Sequence, residues 1–496
     1  MAPPVTLRRG AGGRPGRARR GGLSGLALVV VVAGCGSSHG ATTTPPSSPP
    51  SSATPSTSTS VASSTTTAPV ATNAWTTYGG NFARTSRAAS FPAVTAAPTS
   101  AWTSPGLDGA VYGEPLVFDG QVLVATENDT VYGLSAATGK VQWSDHLATP
   151  AAAGALPCGN IGPTVGITAT MVIDPARAMV FASAETESKG GVGHEVVGID
   201  LATHAVAWRR DVDQPGWTAA AQLQRIGLGL SDGRVLVGFG GNEGDCGQYN
   251  GWLVGVPETG TGTLLAYRVP ASREGALWAP AGVTVDAAGD VVVATGNGSA
   301  GVGQPFDHGD AVIKLSPTLT ELSYFAPSNW AQDNADDGDL GSTSPVVLDN
   351  GQLFEVGKES TAYLLDGTAL GGIGGQLASL DVCNSQGGSA YQSPDVYVVC
   401  QDDGEIDQVR IGPGNAIARG WTWRSPTGGA SSPTIAGGVV WSIDLAASKL
   451  YGINPATGTT LFSLSLHVGT PEHFAAPSAA GGMIVVAGSS AVEAFH

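Results

Sequence analysis

The sequence predicts an all-β protein: an eight-bladed β-propeller of four-stranded antiparallel blades, its ring closed by an N-terminal strand. Three observations predict it. Pro115–Trp143, PLVFDGQVLVATENDTVYGLSAATGKVQW, reads as short apolar strands joined by turns at Asp119-Gly120, Glu127-Asn-Asp129 and Ala137-Thr-Gly-Lys140. Units of the same kind recur roughly every 40–50 residues, the spacing of propeller blades. Finally, 72 Gly and 32 Pro with only 13% charged residues in 496 suit many short strands and tight turns, and no stretch reads as a long amphipathic helix.

The chain opens with a segment that does not belong to this fold. Met1–Gly34 carries six arginines between Arg8 and Arg20, then the apolar run Leu23–Ala33, too short to span a bilayer. A secretory leader is the expectation. It ends in Val32-Ala33-Gly34-Cys35, which resembles the lipobox of bacterial lipoproteins; the resemblance implies cleavage before Cys35 and lipid on its sulfur. Residues 35–74 are almost wholly Ser, Thr, Pro and Ala, with too little apolar content to bury, and read as a disordered tether. The propeller domain is expected over 75–496, extracytoplasmic and lipid-anchored to the cell membrane.

Within it, Pro433–Phe462 repeats the opening unit most clearly. Thr170–Trp208, Leu228–Tyr267, Trp278–Tyr324, Ser344–Gly374 and Gly388–Trp423 are looser copies, and Pro477–Phe495 lacks a closing strand. Ser100-Ala-Trp102 reads as that missing strand, because an unpaired blade edge would invite aggregation. Copies two to five carry the insertions Glu185–His194, Gly240–Trp252, Gly296–Asp310 and Tyr324–Gly341, read as irregular loops where function would reside.

Charge narrows the partners. Removing the six leader arginines from 23 basic residues leaves 17 against 40 acidic, a balance of −23, which argues against nucleic acid or anionic lipid surfaces. An envelope protein or polymer is the expected partner class, besides the membrane reached through Cys35. Setting Cys35 aside, four cysteines remain. Three pairings are open; Cys383 and Cys400 flank one hairpin-like segment and are paired, which leaves Cys158 with Cys246. The eight histidines lack metal-ligand spacing and read as surface or turn residues. The mature chain has no G-x-S-x-G elbow, Walker loop or H-E-x-x-H.

Trp75–Arg87, WTTYGGNFARTSR, is similar to the W-x-x-x-G-G-[DN]-x-x-[RH] entry segment of pyrroloquinoline-quinone-like (PQQ-like) propellers, and with the repeat this resemblance runs from Trp75 to His496. That family includes quinoprotein alcohol dehydrogenases and cofactor-free assembly factors, so two functions follow: a binding or scaffold protein at the cell envelope, or a calcium- and PQQ-dependent dehydrogenase oxidising an alcohol or sugar. For the second, the resemblance implies Glu185, Asn297 and Asp339 on calcium, with Asp339 also catalytic. It implies Trp278 as the floor beneath the quinone and Lys358 on its oxygens. The chain departs from the dehydrogenases in lacking adjacent cysteines and any C-x-x-C-H.

Overall fold

The computed structural model describes residues 73–496; the leader, Cys35 and the tether up to residue 72 lie outside the described residues. Eight small antiparallel sheets form the eight blades of a propeller. Blade one is Leu116–Phe118, Gln121–Ala125, Thr130–Ser135 and Val141–His146; blade two runs Val172–Asp211, blade three Gly229–Arg268, and blade four Thr284–Ala326. Blades five, six and seven run Val346–Asp381, Ala390–Arg424 and Thr434–Ser465. Blade eight takes Ser478–Ala480, Met483–Ala487 and Val492–Phe495 from the C-terminus and its outer strand, Ser100–Thr103, from the N-terminus, with Ser100 opposite Phe495 and Trp102 opposite Ala494. No described helix is long and apolar enough to cross a membrane.

Burial explains the strand sequences. Middle strands such as Val439–Asp444 are buried along their whole length because blades cover both their faces, so they read as continuous apolar runs. Outer strands such as Ala205–Asp211 alternate exposed and half-buried positions, with one face wet.

The closing tryptophan of one blade docks on the turn of the next. Trp208 of blade two donates its Nε1–H to Glu258 O at 3.0 Å, and Trp421 of blade six reaches Pro455 O at 2.9 Å. Trp102 of blade eight reaches Ala136 O of blade one at 2.8 Å. Each indole lies on a turn glycine with positive φ: a Cβ on Gly139, Gly260 or Gly458 would sit 2.3–2.6 Å from indole atoms. Between blades one and two the glycine is replaced by His204 at φ 59, whose ring stacks on Trp143 at 5.1 Å. Gly260→Ala is therefore expected to destabilise by about 2–3 kcal/mol, combining a left-handed backbone with a clash. Gly233→Ala, at φ 70 with open space around it, should lose only the backbone contribution, about 1 kcal/mol. Urea unfolding of the two variants checks this, and equal losses would show that the indole contact contributes nothing.

The entry segment binds the blades to each other. Trp75 exchanges backbone hydrogen bonds with Val117 of blade one; Thr76 O accepts from Ile173 of blade two, and Thr77 Oγ1 donates to Leu228 O beside blade three. Phe82 O then meets Val285 of blade four, Ala83 O Val347 of blade five, Thr85 O Tyr391 of blade six and Ser86 O Ile435 of blade seven. Arg87–Ala88 finally pairs with Ile435–Ala436. Within this belt, Gly79 donates its N–H to Glu114 Oε2 at 2.7 Å, and Gly80, at φ 75, lies against the Trp75 ring.

Four expectations need correction. Glu185–His194 is not an irregular loop; Met179–Ser188 and Gly191–Asp200 pair throughout, so the insertion lengthens a hairpin. Its alternating side chains are strand-like, and Lys189-Gly190 is all the turn it needs. His194 in this hairpin is no surface residue. It is fully enclosed, with Nδ1 2.9 Å from Asp213 Oδ1 and Nε2 3.2 Å from Gln222 O. In blade five the outer strand is Ala378–Asp381, beyond the expected end at Gly374; the Gly-rich stretch before it instead lends Gly372–Ile373 to the edge of blade four, parallel to Phe325–Ala326. The insertion Tyr324–Gly341 includes one short helix, Trp330–Asp336.

The disulfides are Cys383–Cys400, with Cα atoms 5.4 Å apart, and Cys158–Cys246, at 5.8 Å. The second ties the connection after blade one to the insertion of blade three.

Candidate functional site

A cavity of about 620 Å³ opens at one end of the ring, walled by the insertions of blades three and four. Trp278, on the connection into blade four, lines it and is set by two backbone hydrogen bonds from its neighbours: Leu277 N to Phe239 O at 3.2 Å and Gly296 N to Ala276 O at 2.9 Å. Asn297 leaves the second strand of blade four in Thr295-Gly296-Asn297. Gly296 has a structural reason here: a Cβ would lie 2.4 Å from Asp339 Oδ1 and 3.1 Å from the indole nitrogen of Trp278. Only a bare backbone lets the carboxylate settle against the Asn297 amide, which donates to Oδ1 at 2.8 Å.

Asp339 follows the short helix, which Asp337 ends in a left-handed conformation at φ 59 while Gly338 N bonds Asp333 O. Its second oxygen lies 2.5 Å from Lys358 Nζ, and Lys358 N donates to Asp339 O at 3.0 Å. The Lys358 ammonium also reaches Asp337 at 3.1 Å and stands over the Trp278 ring at 5.2 Å from its centroid. Burial pushes the Asp339 carboxyl up, more than Lys358 and the Asn297 amide draw it down. For Lys358, burial opposes the charge, but Asp339 and Asp337 outweigh it and hold the ammonium above the ordinary lysine value.

The structure thus gathers Trp278, Asn297, Asp339 and Lys358 around one cavity. Glu185 is not among its lining residues. It is 1% exposed on blade two, and its nearest cation is His194 at 3.7 Å. Both its carboxylate oxygens lack a hydrogen-bond partner. Burial raises the Glu185 carboxyl, while His194 draws it down. Of the three residues expected on calcium, Asn297 and Asp339 line the cavity and Glu185 does not, and Asp339 already has both oxygens engaged. The planar part of the expected ligand fits better: an aromatic floor, a cation above it and a carboxylate against a backbone that only glycine permits.

Sequence reasoning missed other lining groups. Phe474, on the connection between blades seven and eight, reaches across to Trp278, ring centroids 6.2 Å apart, with its backbone at φ 70. Arg225 sits over the other part of this floor, its guanidinium carbon 4.5 Å from the Phe474 centroid. Tyr249 donates its hydroxyl to Asp245 on the wall. None lies in a motif; only the aromatic at Phe474, isolated in a loop, was a signal.

Residues 79–294 match a family model described as outer membrane protein assembly factor BamB. Among solved structures, the quinohemoprotein alcohol dehydrogenase of Comamonas testosteroni is similar with a TM-score of 0.64 at 15% identity, over 85% of this chain and 80% of that one. A europium-containing methanol dehydrogenase gives 0.64 at 12%, over 86% and 98%. BamB from Moraxella catarrhalis gives 0.53 at 14%, over 80% and 99%. The chain is an eight-bladed β-propeller with the fold of these solved structures. No curated protein matches it in sequence. This propeller has the fold of both dehydrogenases and an assembly factor, so the fold leaves the choice to the site.

Proposed function

We propose that this chain is a ligand-binding propeller of the cell envelope, held to a membrane through lipid on Cys35, with the cavity above Trp278 as its binding site. One observation carries the reading: Trp278, Asn297, Asp339 and Lys358 come from separate connections yet are locked by mutual hydrogen bonds and ion pairs around a single concave, aromatic-floored space. The envelope setting rests on the basic leader and Cys35, and is supported by the match to an assembly-factor family. In that setting the rim insertions would also serve a scaffold role toward an envelope protein or polymer.

The Lys358–Asp339 pair over Trp278 favours a second reading, a PQQ-dependent dehydrogenase of an alcohol or sugar. When bound, the quinone supplies the electron acceptor for alcohol oxidation. Trp278 would support its ring, Lys358 would meet its oxygens, and Asp339, its carboxyl raised by burial, would accept the substrate hydroxyl proton. Calcium would have only Asn297 and Asp339 at the cavity.

Titrating the full chain with PQQ, with and without calcium, distinguishes these readings. A ligand held only by the folded state stabilises it by about 2.7 kcal/mol at a hundredfold excess over Kd. A melting shift of a few degrees, removed by Asp339→Asn, with dye-linked alcohol oxidation, establishes the dehydrogenase. The same shift without oxidation establishes a binding protein, and no shift excludes the quinone from the cavity.

A further inference from the structure

The wall of the cavity is stapled at one place. The connection after blade one projects a loop, residues 153–163, whose base is the short pair Ala151–Ala152 and Thr164–Val165. Cys158 and Asn160 lie on this loop, and Asn160 lines the cavity beside Asn242, Glu243 and Asp245 of the blade-three insertion. Among the described residues, two links alone join loop to insertion by a covalent or hydrogen bond. They are the disulfide Cys158–Cys246 and the bond from Cys246 N to Cys158 Sγ at 3.2 Å. A space of about 20 Å³ remains between the two segments, lined by Leu156, Gly159, Ile161 and Asn242 among others, so packing does little to replace the staple.

The insertion has anchors of its own. Arg273 Nε donates to Gly247 O at 3.0 Å and Nη2 to Asp245 O, the Tyr249 hydroxyl donates to Asp245, and Glu274 N donates to Tyr249 O at 2.9 Å. The loop has few. Ala153 N bonds Pro163 O at 3.0 Å, Leu156 N bonds Ala153 O at 3.2 Å, and Ile161 packs with Val165 and Leu223. Parting the sulfurs would free the loop and leave the insertion in place.

The two disulfides also differ in access. Cys383 and Cys400 are 7% and 0% exposed, whereas Cys158 and Cys246 are both half-buried. Within the accessible pair the sulfurs are unequal. The Cys246 amide aimed at Cys158 Sγ favours negative charge there, while Gly244 O, 3.5 Å from Cys246 Sγ, opposes it on Cys246. Attack on Cys246, with Cys158 as the leaving thiolate, is the favoured direction.

We propose that Cys158–Cys246 is a thiol–disulfide exchange site through which a dithiol reductant opens the cavity wall. One thiolate of the reductant bonds Cys246 Sγ as the Cys158–Cys246 bond breaks, and Cys158 leaves as a thiolate that takes up a proton. The second thiolate of the reductant then displaces Cys246, which is protonated in turn. Two electrons and two protons pass to the cysteines, and the reductant leaves as a disulfide. Loop 153–163, with Asn160, is thereby released from the wall. The inference does not depend on what the cavity binds.

The full chain held in dithiothreitol without denaturant, then alkylated with iodoacetamide and mapped by peptide mass, tests the exchange. Cys158 and Cys246 are expected to be alkylated at least about tenfold faster than Cys383 and Cys400; equal rates or the reverse order overturn the proposal. Thermolysin, which cuts before large apolar residues, then reads the release. Cleavage before Leu156 and Ile161 should be at least about tenfold faster in the reduced, alkylated chain, with Gly241–Gly251 left intact. The double variant Cys158→Ser, Cys246→Ser should show the same cuts with no reductant, and the reduced wild type keeps the test decisive if that variant folds poorly. An unchanged cleavage rate overturns the proposal, and so do cuts spread through the insertion or the blades, which would make the disulfide a staple of the whole fold.

Discussion

Arg84→Met is expected to destabilise the propeller by about 3–5 kcal/mol, among the largest losses from a single side chain here. Arg84 is 1% exposed and spends all its donors inside the belt. Nε donates to Val283 O at 3.0 Å, Nη1 to Thr77 Oγ1 and Tyr78 O at 2.8 Å each, and Nη2 to Leu228 O at 3.2 Å and to Val283 O. Methionine fills comparable space but leaves those acceptors buried without donors. It also removes the cation that counteracts the burial of Glu114, whose carboxyl stands at about 8. Arg84→Lys keeps the charge but reaches fewer acceptors, so an intermediate loss is expected. Guanidinium unfolding curves measure both; a loss under about 1 kcal/mol for the methionine variant would mean the belt is not held by this residue.

Stability is also expected to peak in mildly acidic solution and to fall as pH rises. Burial lifts the carboxyls of Glu114 and Glu359 to about 8, Glu127 to about 7 and Asp129 to about 9, and it holds Asp310 and Glu355 well above the usual range. Each binds a proton in the fold that the unfolded chain has released, so stability declines from the unfolded value, near 4, up to the folded one, by roughly 1.4 kcal/mol per unit for a fully buried group. His194 acts in the same sense. Burial opposes its charge, but Asp213 and Glu185 raise it to about 9, so its contribution is complete below 6.5 and lost toward 9. The melting temperature should therefore be highest near pH 4, at the unfolded carboxyl value, and several degrees lower at pH 9. A flat or rising profile over pH 5.5–9 would show that these carboxyls are not held neutral.

The repeat made the architecture legible, because a blade writes its pattern locally: turn glycine, apolar strand, closing aromatic. The cysteine pairs were legible from spacing and elimination. Asn297, Asp339, Lys358 and Trp278 could be picked from their order along the chain, and the cavity collects all four. Arg225 and Phe474 could not, since they meet only when the connection after blade seven crosses to the wall of blade three. Glu185 carries the right chemistry but its strand continues straight into a paired hairpin, which keeps its side chain beside His194 and away from the cavity lining. The boundary of blade five was obscured for the opposite reason: Gly371, Gly372, Gly374 and Gly375 encode no strand period, so the true outer strand lay beyond them.

The belt from Trp75 to Ala88 also sets the order in which the molecule can be made. It leaves the ribosome before any blade, yet its backbone partners run from Val117 to Ile435. Until those inner strands exist, its N–H and C=O groups have only water to bond, and the outer strand of blade eight waits still longer for Val492–Phe495. Contacts this distant in sequence close late and slowly. Cooperative folding should therefore complete only after the last blade is synthesised, and a chain truncated before blade eight would leave Ser100–Thr103 as an unpaired strand seeking a partner in another molecule.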